Sequence, residues 1–459
     1  MSSIDRSLPL VQAPVEGACC EACALVTVAE PPVAVAIEPA PARVDQRRSI
    51  SRAQDRRITF GGLGLAAVLL GLAILAIALP ESTRRGWWLP LHLVLAGAAG
   101  TAIASVLPFF TAALAVAAPM GRATRLVAIG GVAGGALAVS GGVTVGATGV
   151  AVVGGLAYLA GLAALALAAF APLRGALGPR RPLISGAYAV AIASVLAGVA
   201  LSTAMLAGVE PVIVRWALLK PAHAWLDVIG FLSLVIAASL VHLAPTVVGA
   251  RMQPRSSARI AIMGLAVGAP TVAIGLATTS DLVVRLGVLA TFAGAFALAI
   301  HGIAVQRQHA RWTTDPSWHR FTSWSLLLAP VWLAIGVGIA GGRFIAWGAD
   351  PRAWDISLIA PALAVGWAAQ VLVGSWSHLL PSIGPGDPIA HGRQRSILGR
   401  FATTRVLAIN GGAALATVGA LTGSIPVSGL GVVLAIASLA VALAVFIRAA
   451  WIGTAAGRY

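Results

Sequence analysis

Apolar runs long enough to cross a bilayer recur along the whole chain after residue 58, and they constrain its fold more than any other feature. A span needs about 20 apolar residues, because a helix rises about 1.5 Å per residue across about 30 Å of hydrocarbon. Twelve runs qualify, at 60–80, 89–117, 124–141, 146–172, 183–208, 221–248, 258–279, 282–305, 323–341, 356–382, 404–421 and 427–448. Inside lipid every backbone N–H and C=O needs an internal partner, so such runs form helices. The expected fold class is therefore all-α membrane, a twelve-span helical bundle. Charged residues make up 10% of the chain, against about 25% in soluble domains. That excludes a soluble globular protein.

The formal charge of +16 does not mark a nucleic-acid binder, because the basic residues sit in short segments between the runs. With an inside N-terminus, 24 arginines fall on the cytoplasmic side. The outer side keeps seven basic residues: Arg84, Arg85, Arg215, Lys220, Arg285, Arg343 and Arg352. The positive-inside rule then predicts both termini on the cytoplasmic side, and the expected location is the plasma membrane. Residues 1–58 read as a disordered cytoplasmic tail, 59–450 as the twelve-span domain and 451–459 as a short cytoplasmic end. The tail contains Cys19, Cys20 and Cys23, a cluster able to hold a soft metal but with no disulfide framework.

Two spans share a motif. "GFLSLVIAASLVHLAP" from Gly230 and "GWAAQVLVGSWSHLLP" from Gly366 align without a gap and share Gly230/Gly366, Ser239/Ser375, His242/His378 and Pro245/Pro381. The chain has only 8 histidines, so the shared His-Leu-x-Pro stands out from the small-residue background. Span two matches more weakly, with Ser105 and Pro108 near its inner end and His92 five residues before Gly97. Spans two, six and ten are four apart, which predicts three four-helix pseudo-repeats.

Twelve spans in three such units, with histidines in spans two, six and ten, resemble the catalytic subunit of haem-copper oxidases and the NnrS-type membrane proteins. The stretches 222–249 and 366–384 are similar to a branch of that group, some members of which are joined to cupredoxin copper domains. The resemblance implies a haem or copper cofactor and a cupredoxin or cytochrome redox partner. The sequence also departs from the oxidases. Span seven, "ARIAIMGLAVGAPTVAIGLATTS", lacks their histidine pair, and the outer part of span ten, "LIAPALAVGW", lacks their His-x-His. A binuclear site is not expected, nor is reduction of oxygen or nitric oxide.

Candidate site residues fall at two levels. On the outer side His92 and His223 are candidates for haem or copper binding. Asp227, one helical turn after His223, is placed to orient its imidazole or to pair with Lys220 or Arg215. The alternative is hydrated histidines at helix ends. On the inner side His242 and His378 are candidates for a shared metal. Against that stands a helix-end role, in which the proline stops the helix and the imidazole meets a freed carbonyl. Asp281 and Arg285 read as an interfacial ion pair, Asn410 as an interhelical hydrogen bonder, and His309, His319 and His391 as solvated loop residues. A twelve-span transporter and a cofactor-free scaffold are the competing functions. A carrier built of six-span halves fits a four-span period poorly.

Overall fold

The computed structural model describes residues 43–175, 181–253, 255–308 and 318–456. Chain contacts separate Met1–Arg48 from Ser49–Tyr459. Of the first unit only the start of the helix Arg43–Ile77 is described, and the cysteine cluster lies outside the described residues.

Among the described residues the second unit is helical throughout, with no β-strand. Twelve helices are long and apolar enough to cross a membrane. Spans one to six are Asp55–Ile77, Trp88–Ala115, Arg122–Val145, Thr148–Gly175, Pro182–Leu206 and Trp216–Val248. Spans seven to twelve are Ser256–Ala277, Asp281–Gln306, His319–Trp347, Pro351–Ile383, Ala402–Thr422 and Ile425–Ala455. Each falls on an expected run. The helix of span one begins at Arg43, ahead of the expected tail boundary, and that of span twelve continues to Ala456. Helical structure persists there beyond the apolar residues that hydropathy detects.

Three features recur every four spans. Spans three and four, seven and eight, and eleven and twelve form closely packed hairpins. Their faces are small residues, so the backbones approach directly: Gly131 meets Gly161, Gly264 meets Gly294 and Gly412 meets Ala435. Each hairpin turns through a residue of positive φ, namely Gly146, Thr279 and Gly423.

Spans two, six and ten are the most enclosed, with 67%, 67% and 72% of their apolar windows buried against 33–56% elsewhere, so they form the centre of the bundle. Each carries a π-helical segment: Leu93–Ala99, Leu226–Ser233 and Pro361–Ala369. Gly97, Gly230 and Gly366 lie inside them. The π register leaves backbone carbonyls in need of donors, and side chains supply some. Ser233 Oγ donates to the Val228 carbonyl at 2.7 Å, and Tyr158 Oη donates to the Ala96 carbonyl at 3.2 Å. Trp367 Nε1 in turn donates to Ser233 Oγ at 2.9 Å and joins span ten to span six.

Two arginines that the topology argument counts as loop charges are buried. Arg125 is 1% exposed and donates to Asp55 Oδ1 and Thr59 Oγ1, each at 2.8 Å, which ties span three to span one. Arg405 lies over the Phe321 ring at 3.9 Å and donates to the carbonyls of Leu398 and Arg400. It thereby caps a helix, Pro388–Leu398, where a solvated loop was expected. Asp387 opens that helix by accepting from the Ala390 N–H at 2.7 Å, which fits the turn read from "GPGDP". Gln394 holds it down through the carbonyls of Pro385 and Ala449. An eleven-residue helix with one buried polar side chain has too weak a pattern to be read from sequence.

Asn410 does bridge helices, accepting from Trp332 Nε1 at 2.7 Å. Asn410→Leu is expected to cost about 0.6–1.7 kcal/mol, the range of membrane side-chain hydrogen bonds. Unfolding in a denaturing detergent series would measure it, and a neutral effect would count against a structural role. Asp281 does not pair with Arg285. It accepts from the Ala349 N–H at 2.9 Å and fastens the start of span eight to the end of span nine.

Candidate functional site

The outer candidates come together on spans two, four, five and six. His92 ends the α-helical start of span two, Trp88–His92, just ahead of the π segment. Its Nδ1 lies 2.7 Å from the Trp88 carbonyl, and the Trp88 ring stacks on the imidazole with centroids 4.1 Å apart. A carbonyl can only accept, so Nδ1 carries the proton and Nε2 keeps its lone pair.

His223 repeats this arrangement with more support. Its Nδ1 lies 3.0 Å from the Gly198 carbonyl and 3.1 Å from Asp227 Oδ2. Both partners are acceptors, so this imidazole too carries a proton on Nδ1. Asp227 reaches its own helix's His223 because residues four apart share a face. It reaches span five because Gly198 has no side chain: a Cβ there would collide with the Asp227 carboxylate. Neither Lys220 nor Arg215 takes Asp227, and Arg215 donates instead to the Ala277 carbonyl. Asp227 Oδ1 is buried without a hydrogen-bond partner among the described residues.

His92 lies within electrostatic reach of His223 and Lys220, and Tyr158 within reach of Asp227. Sequence reasoning missed Tyr158. A tyrosine inside a span must find a partner for its hydroxyl, and that was the available signal. The Gly198 carbonyl could not be read at all, since a backbone acceptor leaves no mark on sequence.

The inner pair is arranged differently. His242 faces Arg181, whose Nη1 lies 3.0 and 2.8 Å from the two ring nitrogens. His378 stacks on Trp318 with centroids 5.1 Å apart, and Arg395 lies over the same indole. The two histidines thus have separate neighbours. The prolines do not stop their helices: Leu234–Val248 runs past Pro245 and ends at Gly249, and Gln370–Ile383 runs past Pro381. Each proline removes only one helical hydrogen bond, and a membrane helix tolerates that loss.

As a donor set, His92 and His223 supply two imidazoles held through Nδ1. Among the described residues no group of three or more His, Cys, Asp or Glu side chains is placed to enclose a metal. Imidazole is a donor type that copper and haem iron both accept. No protein-family model matches the chain, and no curated protein matches it.

Proposed function

We propose that this integral membrane protein binds a haem or copper through Nε2 of His92 and Nε2 of His223, as a relative of the haem-copper oxidase subunit without its binuclear centre. One observation carries the proposal. On two neighbouring central spans, both imidazoles have Nδ1 engaged by fixed acceptors. Ligating histidines are oriented in this way, and the outer acceptor also raises the basicity of the ligating nitrogen. When bound, the metal would supply one-electron chemistry or copper storage, and the chain would orient the two imidazoles and exclude water. The relationship to the oxidases draws support from the recurrence of π segments and glycine hairpins at the four-span period of the histidine motif. A location in the plasma membrane with both termini inside rests on the arginine distribution, and a cupredoxin or cytochrome partner rests on the family resemblance.

The test is purification from cells supplied with haem and copper, followed by a visible spectrum and metal analysis. The expected result is a bound haem or copper that is lost in both His92→Ala and His223→Ala. A colourless, metal-free wild-type protein would sink the proposal. Asp227→Asn keeps the shape but removes the charge that supports His223, and is expected to weaken metal affinity about 10–100-fold. A chelator competition series measures this, and an unchanged affinity would remove Asp227 from the site.

A further inference from the structure

A crevice of about 270 Å³ runs between spans one, two, ten, eleven and twelve, apart from the histidine site. On span ten its lining reaches from Ser357 to Ala369, which is about 18 Å at helical rise. On span twelve it reaches from Ile425 to Leu439, or about 21 Å. One leaflet of hydrocarbon is about 15 Å deep, half the bilayer core. The crevice therefore has the length of one acyl chain, and its walls are apolar over most of that length.

Polarity is confined to one end. There Trp87, Ser357, Ser424 and Ser428 line the crevice, beside the connection between spans one and two. Arg84 lies over the Trp87 ring at 5.4 Å. Its Nη1 donates to the Gly86 carbonyl at 2.6 Å, but its Nε is enclosed and has no hydrogen-bond partner among the described residues. Arg85 follows, exposed, and closes the short helix Glu81–Arg84 in a left-handed conformation. Glu81 is the only acidic residue in this connection, and at the start of span ten the Asp355 carboxylate is engaged by the Ser357 hydroxyl at 2.6 Å. An enclosed guanidinium N–H without an acceptor, next to a second arginine, matches the oxygen-rich negative face of a phosphate.

We propose that the crevice holds one acyl chain of an anionic phospholipid, with the phosphate on Arg84 and Arg85 and the glycerol region against Trp87. The apolar length argues against free phosphate, which would leave the groove uncovered. The arginine pair argues against an uncharged lipid.

The experiment takes the full chain in detergent, washes away loose lipid and adds back phosphatidylglycerol or phosphatidylcholine, counting retained lipids by native mass spectrometry. The wild type is expected to retain one phosphatidylglycerol at least about five-fold better than phosphatidylcholine, the scale of one basic residue at a membrane surface. Arg84→Gln with Arg85→Gln is expected to bring that ratio to about one. Ala420→Phe, which fills the crevice from span eleven, is expected to lower retention of both lipids. Equal retention of the two lipids by the wild type would overturn the proposal without reference to any variant. Displacement of phosphatidylglycerol by millimolar inorganic phosphate would also overturn it, as would recovery of a quinone from the crevice instead.

Discussion

Asp55→Ala is expected to destabilise the protein by about 3–5 kcal/mol, the cost of leaving one member of a buried ion pair alone. Arg125 is 1% exposed, and among the described residues Asp55 is its only charged partner. Without that carboxylate the guanidinium keeps only Thr59 and the Asp55 backbone carbonyl, which lies 3.4 Å away. Arg125→Met should cost less. The Asp55 side chain is 19% exposed and can regain water when its partner is removed. The double change should recover much of the loss, because a buried pair and a well-packed apolar replacement are often close in stability. Reversible unfolding of the four proteins would measure the cycle. Equal single effects, or single effects that simply add, would show that the pair is not an isolated buried contact.

Gly135→Leu is the second large effect expected. A Cβ at this position would lie 2.6 Å from the Tyr158 backbone nitrogen and 2.7 Å from the Gly154 carbonyl oxygen. Both are backbone atoms of the facing helix, so no side-chain rotation can relieve the clash. Spans three and four would have to separate, at about 3 kcal/mol or more, the upper part of the range for overpacking. The neighbouring residue provides the control. A Cβ on Gly134 meets nothing within 4 Å, and Gly134→Leu should be tolerated. Similar losses for the two would refute the contact geometry of the hairpin. Separation of span four would also carry Tyr158 away from Ala96, so the same substitution is expected to loosen the π segment below His92.

The twelve spans were legible because hydropathy is a sum over many residues and tolerates local irregularity. The His-Leu-x-Pro motif falls on spans six and ten, which are among the most enclosed and both carry π segments. Its helix-end interpretation did not hold, because membrane helices carry proline internally. Burial of single charges escaped notice for a related reason. Arg125 and Arg405 stand at span boundaries, where composition cannot separate a solvated arginine from one turned inward. At the outer site, helical spacing put Asp227 within reach of His223 but left Lys220 and Arg215 as competing partners. The contributions of Gly198 and Tyr158 depend on which helices face one another, and that information is tertiary.

The π segments have a geometric consequence. One extra residue in a helical turn advances the side-chain direction by about 100° relative to an uninterrupted α-helix. In each central span, the residues before and after the segment therefore face in directions that an unbroken helix would not combine. His92 and Ser105 belong to two different rotational phases of one rod, and so do His223 and Ser239. Removing a single residue such as Val94 or Ile229 would leave every side chain's chemistry intact and still turn the outer imidazole away from its neighbours. In this bundle the count of residues between two functional groups matters as much as their identity.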